Sequence, residues 1–115
     1  MEDRIRQSLL LDFYGELLTE RQRSCYELHV NEDLSQSEIA EQSGISRQGV
    51  WDSIRHAEQS LRDREEKTGL VRRFTGVRQA LSEIEKQAGE IERLSSGEVR
   101  QRAREILRAL EQIED

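Results

Sequence analysis

Apolar residues recur at helical spacing along almost the whole chain, and no stretch alternates strictly as a strand would. Ile5, Leu9, Phe13 and Leu17 recur every fourth residue, with Leu10 and Tyr14 widening the stripe, and predict a first helix over 3–18. Thr19-x-x-Gln22 has the form of a capping box, in which each side chain satisfies a free backbone N–H at a helix start. It predicts a second helix that carries Cys25, Leu28 and His29 and ends in the polar segment VNEDLS. Ser35-x-x-Glu38 is a second capping box and opens a short third helix through Gln42. Gly44 can end that helix in a left-handed conformation. Ser46 caps a fourth helix from Arg47 to about Lys67, and Thr68-Gly69 is the next break.

Beyond Gly69 the period changes. Leu70, Phe74, Val77, Leu81, Ile84, Ala88 and Ile91 are spaced alternately four and three apart, a strict heptad seam. LSSG at 94–97 interrupts it, and Ser95-x-x-Glu98 reads as the cap of a final helix. There Val99, Ala103, Ile106, Leu110 and Ile113 repeat the seam. Two matching seams joined by a short break predict an antiparallel hairpin. The longer helix would span roughly 37 Å and the shorter roughly 25 Å. Part of the long seam, from Leu70 through Phe74, Val77 and Leu81, would then be covered by the N-terminal helices or by a second subunit. A homodimer joined through these long helices is the expectation, the first helix also being rich in apolar residues for one small domain.

The stretch from Ser35 to Ile54 has what a helix-turn-helix needs. Two helices cross closely, so the first carries a small residue at the crossing, Ala40. The turn tolerates positive φ at Gly44, four residues on. Ile39, Ile45, Val50 and Ile54 supply inward anchors. The second helix then presents Ser46, Arg47, Gln48, Trp51, Asp52 and Arg55 outward. Arg can donate two hydrogen bonds to guanine and Gln can pair with adenine. Trp51 suits either interface packing or stacking on a base.

Charge changes that picture. The 115 residues carry 24 acidic and 18 basic side chains, net −6. From Ser35 to Arg62, Arg47, Arg55 and Arg62 face Glu38, Glu41, Asp52 and Glu58. Phosphate neutralisation supplies most non-specific DNA affinity, and few cations are available here. Only weak, salt-sensitive DNA binding is expected, and Gly49 inside the recognition helix costs about 1 kcal/mol relative to Ala.

Composition narrows the classes further. There is no proline, so helices can run uninterrupted. The longest aliphatic run, Leu9-Leu10-Leu11, is far too short to span a membrane, and MEDRIRQ lacks the apolar core of a signal peptide. A single cysteine precludes an internal disulfide framework. Together these point to a cytoplasmic protein. Cys25 and His29 stand four apart on one helix, but two ligands are too few for a metal, and Cys25 beside Leu28 reads as a small core residue. The acidic runs Asp63–Glu66 and Glu83–Glu85 read as solvated faces with Arg and Lys nearby. No catalytic constellation or phosphate-cradling glycine motif is present, so neither an enzyme nor a cofactor is expected.

Residues 17–64, from LLTERQR through SQSEIAEQSGISRQGVWDSIRHAEQSL, resemble region four of bacterial sigma factors, which reads the −35 promoter element. With the EEKTGL break and the helical arm that follows, nearly the whole chain resembles the YlxM family of small bacterial proteins. That family has an aromatic where Trp51 stands, and Gly49 replaces its usual Ala or Thr. The resemblance implies recognition-helix positions at Ser46, Arg47, Gln48, Trp51, Asp52 and Arg55. It also implies a regulator linked to the signal recognition particle pathway, through protein or RNA components. The expectation is an all-α protein: a sigma-region-four-like helix-turn-helix domain over 1–68 and an antiparallel helical arm over 69–115. A DNA-binding transcription regulator, or an adaptor that uses the helix-turn-helix as a scaffold only, are the other readings of the same residues.

Overall fold

The computed structural model describes residues 2–113. Among them are six α-helices, one 3-10 turn and no strand: α1 Glu2–Tyr14, the turn Gly15–Leu17, α2 Glu20–Val30, α3 Gln36–Ser43, α4 Arg47–Thr68, α5 Leu70–Leu94 and α6 Gly97–Ile113. The fold is all-α. It divides into two compact units, Met1–Val71 and Arg72–Asp115. No helix among the described residues is long and apolar enough to cross a membrane.

In the first unit α4 is the central element and packs against α1, α2 and α3. Val50, Ile54, Ala57 and Leu61, spaced four, three and four apart, form its buried face. They meet Ile39 from α3 and Tyr26 and Val30 from α2 in one apolar cluster. Burial of the Tyr26 ring pushes its phenol up to about 12; nearby Glu58 adds to the shift and Arg62 opposes it.

The face that α1 buries differs from the expected stripe. Leu10, Leu11 and Tyr14, followed by Leu18, enter the core, whereas Ile5, Phe13 and Leu17 stay exposed. The every-fourth-residue row is the edge of the apolar sector, and the core takes its other side. The helix also ends four residues early, at Tyr14, where the chain tightens into the 3-10 turn before the extended Thr19 cap.

Ala40 packs half-buried on the core at the α3 end of the helix-turn-helix. Leucine there must push α3 away from the core, and overpacking of this kind costs about 1–3 kcal/mol. Ala40→Leu should therefore lower the urea midpoint, while the half-buried surface change Glu58→Gln should leave it nearly unmoved. Equal midpoints for the two variants would refute the tight crossing.

Glu65 departs from the solvated-face reading of its acidic run. It is only 6% exposed. Its carboxylate accepts a hydrogen bond from the Tyr14 hydroxyl at 2.7 Å and another from the Val71 backbone N–H at 2.9 Å. The Thr68 hydroxyl also bonds the Tyr14 hydroxyl and accepts from the Leu70 N–H at 3.4 Å. Gly69, at φ +65°, lets the chain turn there. The end of α1, the end of α4 and the first turn of α5 thus share one buried polar hub, and burial raises the Tyr14 pKa.

In the second unit α6 folds back along α5. Ala88 and Ala103 are buried and stand equally far from the break, as do half-buried Leu81 and buried Leu110. Glu92 and Arg104 close one side of the pair with an ion pair at 3.0 Å. The expected Ser95–Glu98 box does not form. The Ser95 hydroxyl instead donates back to the Ile91 carbonyl one turn earlier, and α6 begins at Gly97 after a left-handed φ of +63°.

Candidate functional site

The helix-turn-helix surface is set by three local devices. The Ser35 hydroxyl accepts from the Glu38 N–H at 3.2 Å, and the Glu38 carboxylate accepts from the Ser35 N–H at 3.0 Å. Those bonds, the backbone one first, hold the Glu38 carboxyl below the usual range. At the other end of α3 the Gly44 N–H donates to the Ala40 carbonyl at 2.9 Å, with Gly44 left-handed at φ +71°. Ser46 then starts α4, its hydroxyl accepting from the Gly49 N–H at 3.0 Å. A Cβ at Gly49 would sit 3.2 Å from that hydroxyl, closer than ordinary contact. The glycine costs helix propensity but leaves the cap undisturbed.

These devices place the expected residues as follows. Ile39, Val50 and Ile54 are buried, and Ala40 and Ile45 pack half-buried against the same core. Ser46, Arg47, Gln48, Trp51, Asp52 and Arg55 are all exposed. Gln36, at the start of α3, joins Arg47, Gln48 and Trp51 around one open depression. Sequence reasoning passed over Gln36; it sits one residue after a capping serine, where no periodic signal marks it.

The outward face of α4 is largely self-engaged. The Gln48 amide donates to the Asp52 carboxylate at 3.2 Å. The Arg55 guanidinium lies over the Trp51 ring, 4.7 Å from its centroid. Trp51 still keeps 39% of its surface exposed. Arg47 makes no ion pair among the described residues. The surface therefore offers one uncommitted cation, an amide tied to a carboxylate, and a planar ring stiffened from one side. It can stack or pack well and neutralise phosphate poorly.

The remaining candidates fall elsewhere. Cys25 is buried in the core, and the His29 ring lies 6.4 Å from that of Tyr26. No group of three or more His, Cys, Asp or Glu side chains suited to a metal ion occurs among the described residues. Of the residues expected at a subunit interface, Leu70, Phe74 and Val77 are exposed and Leu81 is half-buried.

Comparison with known proteins matches residues 1–106 to the UPF0122 family, described as "Putative helix-turn-helix protein, YlxM / p13 like". A UPF0122 protein of Thermoanaerobacter sp. is 42% identical over 112 residues, 97% of this chain and 91% of the relative. One from Acetivibrio thermocellus is 44% identical over 108 residues, 94% of this chain and 91% of the relative. One from Desulforamulus reducens is 51% identical over 77 residues, 67% of this chain and 66% of the relative. The 112- and 108-residue alignments extend over both the helix-turn-helix and the helical arm. The chain belongs to the UPF0122 family of YlxM- and p13-like helix-turn-helix proteins.

Proposed function

We propose that this chain is a non-enzymatic regulatory protein that acts in the cytoplasm within the signal recognition particle pathway, presenting α4 to a protein or RNA component. The observation that carries the reading is the state of the recognition helix. Its glutamine is bonded to Asp52 and Arg55 is stacked on Trp51, so most of the groups that would read a duplex are engaged. Trp51 remains available as an aromatic anchor, and aromatic residues dominate interface hot spots. The pathway itself comes from the resemblance to the YlxM family.

A DNA-binding transcription regulator is the second reading, favoured by the intact helix-turn-helix geometry and by the uncommitted Arg47. The two are separated by capture from lysate with and without nuclease, together with titration of random duplex. Retention of signal recognition particle components after nuclease supports the first reading. RNA-dependent recovery of the particle supports it as well. Duplex binding is expected to be weak, with a shallow salt slope, because each phosphate contact contributes about 0.9 and about three arginines are near. Tight duplex binding with a steep slope, and no pathway component captured, would replace the first reading with the second.

A further inference from the structure

The hairpin leaves most of its heptad seam uncovered. On α5, Ala88 and Leu81 turn toward α6, and on α6 Ala103 and Leu110 turn toward α5. Of the other seam positions, Leu70 and Phe74 at the start of α5 are exposed, and Val77, Ile84 and Ile91 on α5 and Val99, Ile106 and Ile113 on α6 remain 43–60% exposed. Each of the latter two sets repeats every seven residues, so each forms a straight row along its helix. The exposure is not confined to the end of α5 that reaches past α6. It runs opposite α6 as well.

The two rows share one face. At about 100° per residue, Ile84 and Ile91 lie roughly 50° to one side of Ala88, and Val99, Ile106 and Ile113 lie roughly 60° to the corresponding side of Ala103. In an antiparallel pair equal rotations fall on the same side. Glu92 and Arg104 rotate the opposite way, and their ion pair marks the other side of the hairpin. The margin of the apolar face continues as Ala80, Gln87 and Leu94 on α5 and Ala109 on α6, with Arg73 and Arg102 in the same two rows.

We propose that this face is a dimer interface, and that its occupant is the same face of a second copy of this chain in a two-fold four-helix bundle with antiparallel neighbours. Three observations favour a second copy. The six exposed residues present roughly 500 Å² of apolar surface per chain, close to the apolar share of the roughly 800 Å² that a stable interface buries on each partner. Residues 72–115 hold 9 basic and 9 acidic side chains, so two arms meet without net repulsion, whereas residues 1–71 carry 9 against 15. Both arm helices are also basic early and acidic late. Residues 70–81 contain Arg72, Arg73 and Arg78 and no acid, whereas residues 82–94 hold four glutamates against Lys86 and Arg93. Residues 97–104 hold three arginines against Glu98, and residues 105–113 two glutamates against Arg108. Antiparallel neighbours therefore set basic halves beside acidic halves, and parallel neighbours would oppose like charges.

The test is solution mass by light scattering across a dilution series, with no nucleic acid or partner present. It is therefore independent of the proposed function. The wild type is expected at twice 13.5 kDa. Ile84→Glu and Ile106→Glu should each raise the dissociation constant at least about 100-fold with helicity retained, because both place charge in the interface centre. Lys86→Glu on the far side of α5, and Leu17→Glu in the first unit, should leave the mass unchanged. If either Glu variant loses helicity, Ile84→Ala and Ile106→Ala replace them and should weaken the dimer about tenfold. A wild type that stays at 13.5 kDa at every concentration overturns the proposal. So does a dimer that ignores all the hairpin variants, or one broken only by Leu17→Glu.

Discussion

Glu65→Ala should lower the stability of the first unit by about 2–4 kcal/mol, because it leaves the Tyr14 hydroxyl and the Val71 N–H without their buried acceptor. Hydrogen bonds to a charged acceptor contribute about 1.5–3 kcal/mol, and an unsatisfied buried donor costs about 1–3 kcal/mol. Thr68 still bonds Tyr14, which keeps the loss below the sum of the two donors. Glu65→Gln retains an acceptor oxygen and should cost less. The neighbouring Glu66 is exposed, so Glu66→Ala should fall within about 0.5 kcal/mol of wild type. Urea unfolding of the three variants decides the matter. Equal midpoints for Glu65→Ala and Glu66→Ala would show that the hub does not hold the first turn of α5.

Trp51→Ala should weaken binding to the captured partner at least about 30-fold, some 2 kcal/mol, while leaving folding stability nearly unchanged. The ring lies outside the core and rests on Arg55, so removing it opens no cavity among Val50, Ile54 and Ala57. It does remove the only large apolar group on the outward face of α4. Arg47→Ala should cost much less against a protein partner than against a duplex, where it is the uncommitted cation. Calorimetric titration with the captured component measures both. A larger loss from Arg47→Ala than from Trp51→Ala would favour the transcription-regulator reading over an aromatic anchor.

Element boundaries were readable wherever they rest on a few consecutive residues. The Thr19/Gln22 and Ser35/Glu38 boxes form as their spacing demands, with both reciprocal bonds present in each. Gly44 is left-handed and Ser46 caps α4. In each case the groups that bond lie within four residues of one another, so the chain needs no distant partner. Ser95 shows the limit of such reading: its hydroxyl can serve the helix ahead or the turn behind, and here it serves the turn behind.

What the sequence determined by itself is the helical period, the caps and the outward face of the recognition helix. Those depend on residue type at fixed short separations, and the backbone enforces them locally. What only the tertiary structure decided is which side of each apolar sector is buried. The α1 sequence marks an apolar sector wide enough for two rows, and contact with α2 and α4 selects Leu10, Leu11 and Tyr14 over Ile5, Phe13 and Leu17. Glu65 stands in an acidic run that reads as solvated, and burial follows from Tyr14, fifty-one residues away, supplying a donor. The arm's seam is uniform in sequence, yet it divides into a covered row and an open one because a single partner helix covers only one side of a heptad stripe.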